Sequence, residues 1–315
     1  MIAFFKLVRI KNLIVIALLQ YLLRYGLLVP MLEFYGLEPV LSHLRFGLLA
    51  LATVLLAASG NVINDYFDVK TDRINRPRKV IVGNIFHRRT VLLMHVLLTL
   101  TAVFIGLFLS YIYRKENYAL VFILIPILLW YYSTTWKKQI LIGNMVISLL
   151  TALVPYFVVS IEFAALVTVH GRTIVDTDAC SMAWFWTTGF AFFAFISTLG
   201  REIIKDMEDE KGDREAGCHT LPIEMGIGYT KTVVIVLTLI SVITLWTLYF
   251  TVLQLKSDIL TPIYLILLFT IPYLLLALKV HKAKTARDFH WVSQISKLIM
   301  LFGILFTLVA RTFFS

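Results

Sequence analysis

The sequence changes character abruptly between residues 46 and 73, which read FGLLALATVLLAASGNVINDYFDVKTDR. The first 18 of these residues, 46–63, carry no charge, and as a helix they are long enough to cross a hydrocarbon core of roughly 30 Å. The ten residues that follow bring three aspartates, at positions 65, 68 and 72. The stretch therefore predicts a membrane-spanning helix that ends in an acidic motif.

The composition extends this pattern to the whole chain. Of its 315 residues, 59% are hydrophobic and 15% are charged, with a mean hydropathy of +0.85, whereas about 25% of the residues of a soluble protein are charged. This composition excludes soluble enzymes, disulfide scaffolds and disordered chains. We predict an all-α, polytopic membrane protein in which residues 1–315 form a single transmembrane domain. Nine apolar stretches are expected to span the membrane: 11–32, 46–63, 91–113, 118–135, 140–161, 183–200, 229–253, 261–280 and 293–313.

Loop charges predict the orientation of these spans. Nine spans place the termini on opposite sides, and 22 of the 29 Lys and Arg residues fall on the side of the N-terminus. Because cytoplasmic loops of membrane proteins are rich in Lys and Arg, this side is assigned to the cytoplasm, together with the charged loops at about 64–90 and 201–230. The same bias explains the net charge of +10, so no nucleic-acid partner is expected. The other seven basic residues are Arg24, Arg45, Arg114, Lys115, Arg172, Lys256 and Arg311.

A second acidic motif repeats the first. Residues 205–214 read KDMEDEKGDR and match residues 64–73 at five positions, at an offset of 141 residues. Positions i, i+3 and i+7 share one face of a helix, so each motif is predicted to form one acidic stripe. The two stripes consist of Asp65, Asp68 and Asp72 and of Asp206, Asp209 and Asp213. The remaining acids of the second segment, Glu208, Glu210 and Glu215, lie off the stripe and are expected to be solvated.

Six carboxylates that face each other require counter-charge. Two carboxylates about 6 Å apart repel by roughly 2.8 kcal/mol at an effective dielectric constant near 20. Magnesium supplies this charge and prefers oxygen ligands, so we predict that all six aspartates are metal ligands. The alternative is a pair of solvated helix ends neutralised by nearby Lys and Arg side chains. The matching phase of the two motifs favours the metal site.

These motifs resemble those of the UbiA superfamily of intramembrane prenyltransferases. Residues 64–77, NDxxDxxxDRINRP, are similar to the family's first aspartate-rich motif, and KDxxDxxGD at 205–213, with GxxTLP at 217–222, is similar to its second. The string from 201 to 222 is most similar to the geranylgeranylglyceryl-phosphate geranylgeranyltransferase branch. The chain departs from many members in the segment KVIVG at 79–83, which lacks their prolines, and in the spacing of Tyr132 and Lys137.

The resemblance implies nine helices around a central cavity, where magnesium bridges the aspartates to a prenyl diphosphate. Ionisation of the allylic C–O bond builds negative charge on the leaving diphosphate, which metal ions and cationic side chains stabilise. The predicted catalytic residues are Asn64, Asp68, Asp72, Asp209, Asp213 and Lys137. Polar, cationic and aromatic residues near the motifs are predicted to bind substrate: Asn61, Arg76, Lys138, Asn144, Arg201 and Tyr132.

The sequence indicates the identity of the prenyl acceptor less clearly than that of the prenyl donor. The resemblance favours transfer of a geranylgeranyl group to geranylgeranylglyceryl phosphate, and the alternative acceptor is an aromatic ring such as 4-hydroxybenzoate or a quinone precursor. A cation transporter is a third reading, but transport sites lie near the bilayer midplane, whereas these aspartates lie at span ends. We expect membrane lipids as surroundings and no obligate protein partner. Arg9, Lys11 and Asn12 are expected to orient the first span, with contact to an acceptor phosphate as the alternative.

Overall fold

The computed structural model describes residues 1–253 and 259–314, and Lys256 lies outside these ranges. Within them, nine helices are long and apolar enough to cross a membrane, as predicted. The chain is therefore an integral, multi-pass, all-α membrane protein over its described residues. The nine helices are α1 (Ile10–Phe34), α2 (His43–Phe67), α3 (Arg88–Tyr113), α4 (Glu116–Lys138), α5 (Ile142–His170), α6 (Asp178–Glu215), α7 (Leu221–Thr251), α8 (Leu260–Lys282) and α9 (Ala286–Phe314).

Local capping chemistry determines where several spans begin. Ser42 Oγ accepts a hydrogen bond from the backbone N–H of Arg45 at the start of α2, at 3.4 Å. Thr177 caps α6 in the same way, and α9 begins with a capping box formed by Thr285 and Asp288. Such side chains satisfy backbone donors that have no partner within the helix.

Helix α6 is the central element of the bundle. It packs against α5, α7 and α9, and near its end it also packs against the short helix Val69–Asn75. On the other flank, α2 packs against α3 and α4. Glycine allows the closest approach of α3 and α4, because a Cβ atom at Gly106 would lie 2.2 Å from the ring of Phe122. The short helix Val69–Asn75, which holds the end of the first motif, thus lies against α6, which holds the second.

The second acidic motif lies within a helix and not in a loop. Helix α6 contains 38 residues, about 57 Å at 1.5 Å per residue, and so extends well beyond the predicted span 183–200. The prediction of a charged loop at 201–230 is therefore wrong, because only residues 216–220 connect α6 to α7. Ion pairs one turn apart support the additional turns of the helix. They join Lys205 to Glu202 and Arg214 to Glu210.

The first acidic motif, in contrast, does not lie on one straight helix. Helix α2 ends at Phe67, and Asp68 has a ψ angle of 1° before the helix Val69–Asn75 begins. The backbone N–H groups of Asp68 and Asp72 still bond to the carbonyl groups four residues earlier. Aspartate has a low helix propensity, which is consistent with a break at this position. The predicted single stripe of Asp65, Asp68 and Asp72 is therefore bent at its central residue.

A fully buried ion pair joins α1 to α5 at the end of the bundle opposite the motifs. Arg24 Nε donates to Glu162 Oε2 at 2.8 Å, and the two side chains are 2% and 0% exposed. Arg24 also donates to the carbonyl group of Leu41, whose own N–H donates to Glu162 Oε1 at 3.1 Å. Both charges and the backbone of the α1–α2 connection are thus satisfied together.

Candidate active site

The two acidic motifs meet at one end of the bundle. Asn75, which follows the first motif, donates from Nδ2 to the carbonyl group of Asp209 at 3.0 Å and accepts from the N–H of Gly212 at 3.0 Å. Arg76 donates to both carboxylate oxygens of Asp209, at 2.8 and 3.0 Å. Asp68 also lies within electrostatic range of Asp209 and of Asp213. The structure therefore brings together segments that are more than 130 residues apart.

The carboxylates of the first motif are held by cations from other parts of the chain. Arg9, which precedes α1, donates to Asp65 Oδ1 at 2.7 Å. Lys137, at the end of α4, forms an ion pair with Asp68 and donates to Asn64 Oδ1 at 3.2 Å. Asn64 in turn donates from Nδ2 to Asp68 at 2.6 Å. Two of the predicted catalytic residues, Asn64 and Lys137, thus converge on a third, Asp68.

The carboxylates of the second motif have different partners. Asn144, a buried residue near the start of α5, donates to Asp206 Oδ2 at 2.7 Å. Glu208 is not solvated as predicted, because its side chain is only 10% exposed. It accepts from Arg76 at 2.9 Å and bonds to His290 Nδ1, at the start of α9, at 3.0 Å. Helix α9 closes over this side of α6, and this contact excludes solvent from Glu208.

The donor set fits magnesium in its chemistry. The six aspartates supply only oxygen, and they come from the end of α2, the short helix Val69–Asn75 and α6. In the ranges 1–253 and 259–314, no three His, Cys, Asp or Glu side chains are close enough to share one ion. Three of the aspartates instead have a cationic partner, in the pairs Arg9–Asp65, Lys137–Asp68 and Arg76–Asp209. These three acids are thus neutralised by the protein itself, and a metal ion would compete with their cationic partners for carboxylate oxygen.

Asp72 has no ion pair among the described residues, unlike Asp65, Asp68 and Asp209. Burial, together with the nearby carboxylates of Asp68 and Asp65, raises the pKa of Asp72 to about 6. Asp65, Asp68 and Asp72 nevertheless lie within electrostatic range of one another, an arrangement of carboxylates that favours a divalent cation.

The other four residues predicted to bind substrate lie in different surroundings. Tyr132 lies within electrostatic range of Asp68 and Asp206, near the centre of the site. Asn61 instead donates to the carbonyl group of Val8 at 3.0 Å and anchors the N-terminal segment. Lys138 is exposed and forms no ion pair in the part of the chain that the structure describes. Arg201 donates to Glu202 at 2.7 Å, one turn or more from the aspartates.

Glu202 is a site residue that motif reasoning missed. It lies four residues before Asp206 on the same face of α6, so it extends the second acidic stripe into the bundle. Its position corresponds to Asn61 at the offset of 141 residues, which is the signal that locates it. Glu202 is buried and accepts hydrogen bonds from Arg201 and from Lys205, at 2.7 and 2.8 Å.

The contact between Asn75 and Gly212 leads to a first prediction. A Cβ atom at residue 212 would lie 2.5 Å from Asn75 Nδ2, so Gly212→Ala is expected to displace this amide and break both of its bonds to α6. Because loss of alignment of about 1 Å costs catalysis on the order of 10²-fold, we expect kcat/KM to fall by about that factor. Turnover and thermal unfolding are measured together.

Asn75→Ala relieves the crowding but loses the same two bonds, so it should reduce activity similarly. Gly228→Ala is the matched control, because a Cβ atom at residue 228 would have no neighbouring atom within 4 Å and Gly228 has ordinary helical geometry in α7. If Gly212→Ala retains full activity, the Asn75 contact does not align the motifs.

Comparison with known proteins places these features in a family. The model of the UbiA prenyltransferase family matches residues 27–302. The digeranylgeranylglyceryl phosphate synthase of Methanosphaera stadtmanae is 34% identical over 197 residues, 62% of each chain. That of Sulfurisphaera tokodaii is 28% identical over 249 residues, covering 79% of this chain and 78% of the relative. The chain is thus aligned with less than two thirds of the length of the first of these relatives.

Solved structures share the fold. A structure described as giving insight into digeranylgeranylglyceryl phosphate synthase in membranes superposes with a TM-score of 0.63 at 24% identity, covering 98% of this chain and 97% of the other. A UbiA homolog from Archaeoglobus fulgidus, bound to GPP and Mg²⁺, gives a TM-score of 0.54 at 17% identity, covering 98% and 99%. At these identities the likeness concerns the fold.

Proposed function

Because the chain belongs to the UbiA prenyltransferase family, we propose that it transfers a polyprenyl group, with geranylgeranyl favoured, from its diphosphate to geranylgeranylglyceryl phosphate. The free hydroxyl of the acceptor attacks C1 of the prenyl group. The allylic C–O bond breaks, an ether C–O bond forms, and pyrophosphate and one proton are released. The names of the relatives support this acceptor, since they are digeranylgeranylglyceryl phosphate synthases.

One observation carries the proposal. Two aspartate motifs from distant parts of the chain are joined at one end of a helical bundle, through Asn75 and Arg76, with cationic side chains among them. This arrangement suits a diphosphate, whose oxygens bind both to metal ions and to Lys or Arg. A cation transporter is not supported, because its site is expected near the bilayer midplane.

Magnesium is the proposed cofactor, with Asp65, Asp68, Asp72, Asp206, Asp209 and Asp213 as its ligands. When bound, it neutralises the charge that develops on the leaving diphosphate. Lys137 and Arg76 lie beside these carboxylates and are proposed to bind diphosphate oxygens directly. Asn64 and Asn144 orient Asp68 and Asp206 through their amide groups. Tyr132 is proposed to face the prenyl group.

The orientation of the chain in the membrane is part of the proposal. The N-terminus and the end of the bundle that carries the motifs are assigned to the cytoplasm, because most Lys and Arg residues lie there. The C-terminus follows α9 and is assigned to the opposite side. A diphosphate substrate made in the cytoplasm then reaches the site without crossing the bilayer.

An acceptor panel tests the function. Purified protein receives geranylgeranyl diphosphate with geranylgeranylglyceryl phosphate, with 4-hydroxybenzoate or with no acceptor, and products are identified by mass spectrometry. We expect the diether phosphate only with the first acceptor and only with magnesium. A prenylated aromatic product would instead support the alternative acceptor class, and cation uptake by proteoliposomes without any prenyl product would contradict a transferase.

A second prediction concerns pH. Since the pKa of Asp72 is raised to about 6, this carboxyl group is protonated below that pH and must release its proton to bind a metal ion. Loss of the Asp72 charge is therefore expected to lower magnesium affinity by about tenfold per pH unit below 6. Calorimetric titration between pH 5 and 8 measures this. Asp72→Asn should bind more weakly with a flatter profile, and equal affinity of the unmodified protein at pH 5 and 7 would contradict the assignment.

A further inference from the structure

A second group of charges lies next to the aspartates and has no role in the mechanism above. Arg201 and Lys205 project from α6 and bind the two oxygens of Glu202, at 2.7 and 2.8 Å. Lys297 of α9 lies within electrostatic range of both. We call Arg201, Lys205 and Lys297 the basic cluster. With Glu202 as its internal acid, the basic cluster has a surplus of two positive charges.

The basic cluster is incompletely satisfied within the protein. The side chain of Arg201 is only 14% exposed, and its buried Nε atom has no hydrogen-bond partner among the described residues. Lys297 is half-buried and forms no ion pair with any residue in 1–253 or 259–314. Arg9 is also close to Lys297, but its guanidinium is paired with Asp65. Buried donors and charges without partners are costly, so this arrangement favours an anionic ligand.

The basic cluster lies further into the bundle than the aspartates. Arg201 precedes Asp206 by five residues and Asp209 by eight, so it lies about 8–12 Å further into the bundle along α6. A small cavity between α6, α7, α8 and α9 is lined by Gly200, which precedes Arg201, and by Ser296, which precedes Lys297. A prenyl chain that extends inward from a diphosphate at the aspartates passes this level.

We propose that Arg201, Lys205 and Lys297 bind the phosphate group of the acceptor, a phosphomonoester lipid. The inference rests on the proposed function. A phosphomonoester carries a charge of about −1.5 to −2 at neutral pH, which matches the surplus of the basic cluster. The free hydroxyl of a glycerol phosphate is only a few bonds from its phosphate, so an anion bound here places that hydroxyl between the basic cluster and the diphosphate. Glu202 holds the two cations of α6 in place.

Binding without metal isolates this site from turnover. Protein in EDTA is titrated with geranylgeranylglyceryl phosphate and with geranylgeranylglycerol, which lacks the phosphate. We expect the unmodified protein to prefer the phosphate lipid by tenfold or more, and Lys297→Met and Arg201→Gln to lose most of that preference. Lys284→Met is the matched control, because Lys284 is an exposed lysine in the α8–α9 connection. Equal binding of the phosphate lipid by all variants would overturn the proposal.

Steady-state kinetics separate this site from the diphosphate site. We expect Lys297→Met to raise KM for the acceptor about tenfold and to leave KM for geranylgeranyl diphosphate unchanged. If KM for the diphosphate rises instead, the basic cluster binds the donor and the inference is wrong. If the unmodified protein makes no prenyl product with any acceptor, the proposed function fails, whereas transfer to the phosphate lipid with unaltered Lys297→Met kinetics refutes only the basic cluster.

Discussion

Asp68→Asn and Asp209→Asn are each expected to lower turnover by about 10³-fold while leaving the fold intact. Asparagine preserves the shape of the side chain but removes the negative charge that a metal ion requires. Asp68 and Asp209 are the central carboxylates of the two motifs, and each is paired with a basic residue, Lys137 or Arg76. Each substitution therefore also leaves the basic side chain without its carboxylate partner.

The comparison is controlled by Glu210→Gln. Glu210 follows Asp209 on α6, but among the described residues it pairs only with Arg214 on the surface, so this variant is expected to retain activity. Prenyl transfer, magnesium titration and thermal unfolding are measured on all three variants. Wild-type turnover by Asp68→Asn or Asp209→Asn would remove that residue from the metal site, and loss of folding would be visible in the unfolding curve.

The sequence predicted the bundle well because the bilayer imposes strict requirements. A segment such as 46–63 has no charged side chain and must form a helix to satisfy its backbone, so its length and composition suffice to identify it. Helix ends were harder to predict. α6 continues to Glu215 because its charged residues pair one turn apart, and a hydropathy pattern does not register such pairs. The break at Asp68 falls inside a regular i, i+3, i+7 pattern of aspartates, so the spacing does not indicate it.

The site was predicted as two motifs, but the contacts between them were not. Asn75 and Glu208 link the motifs or stabilise them through partners more than 80 residues away, and no spacing rule indicates such partners. Arg9 was expected to orient the first span or to contact an acceptor phosphate, and the structure pairs it with Asp65. Glu202 was also missed, although it corresponds to Asn61 in the internal repeat and lies one helical turn before Asp206.

Loss of Arg24 is expected to have the largest effect on stability. In Arg24→Met, Glu162 remains buried without its partner, and leaving one charge of a buried pair uncompensated costs about 3–5 kcal/mol of unfolding free energy. The carbonyl group of Leu41 also loses its donor. Unfolding of the purified protein in detergent measures the change. Turnover by the folded fraction should persist, because this pair lies at the end of the bundle opposite the aspartates.

A second substitution distinguishes the charge effect from the packing effect. In Arg24→Met combined with Glu162→Leu no charge is left buried, so part of the lost stability should return, although the N–H of Leu41 then lacks its acceptor. Arg172→Met is the matched control on the same side of the bundle, because Arg172 is exposed and its loss leaves no buried charge. If Arg24→Met unfolds like the control, water reaches the remaining charge of Glu162. Other contacts then hold the α1–α2 connection in place.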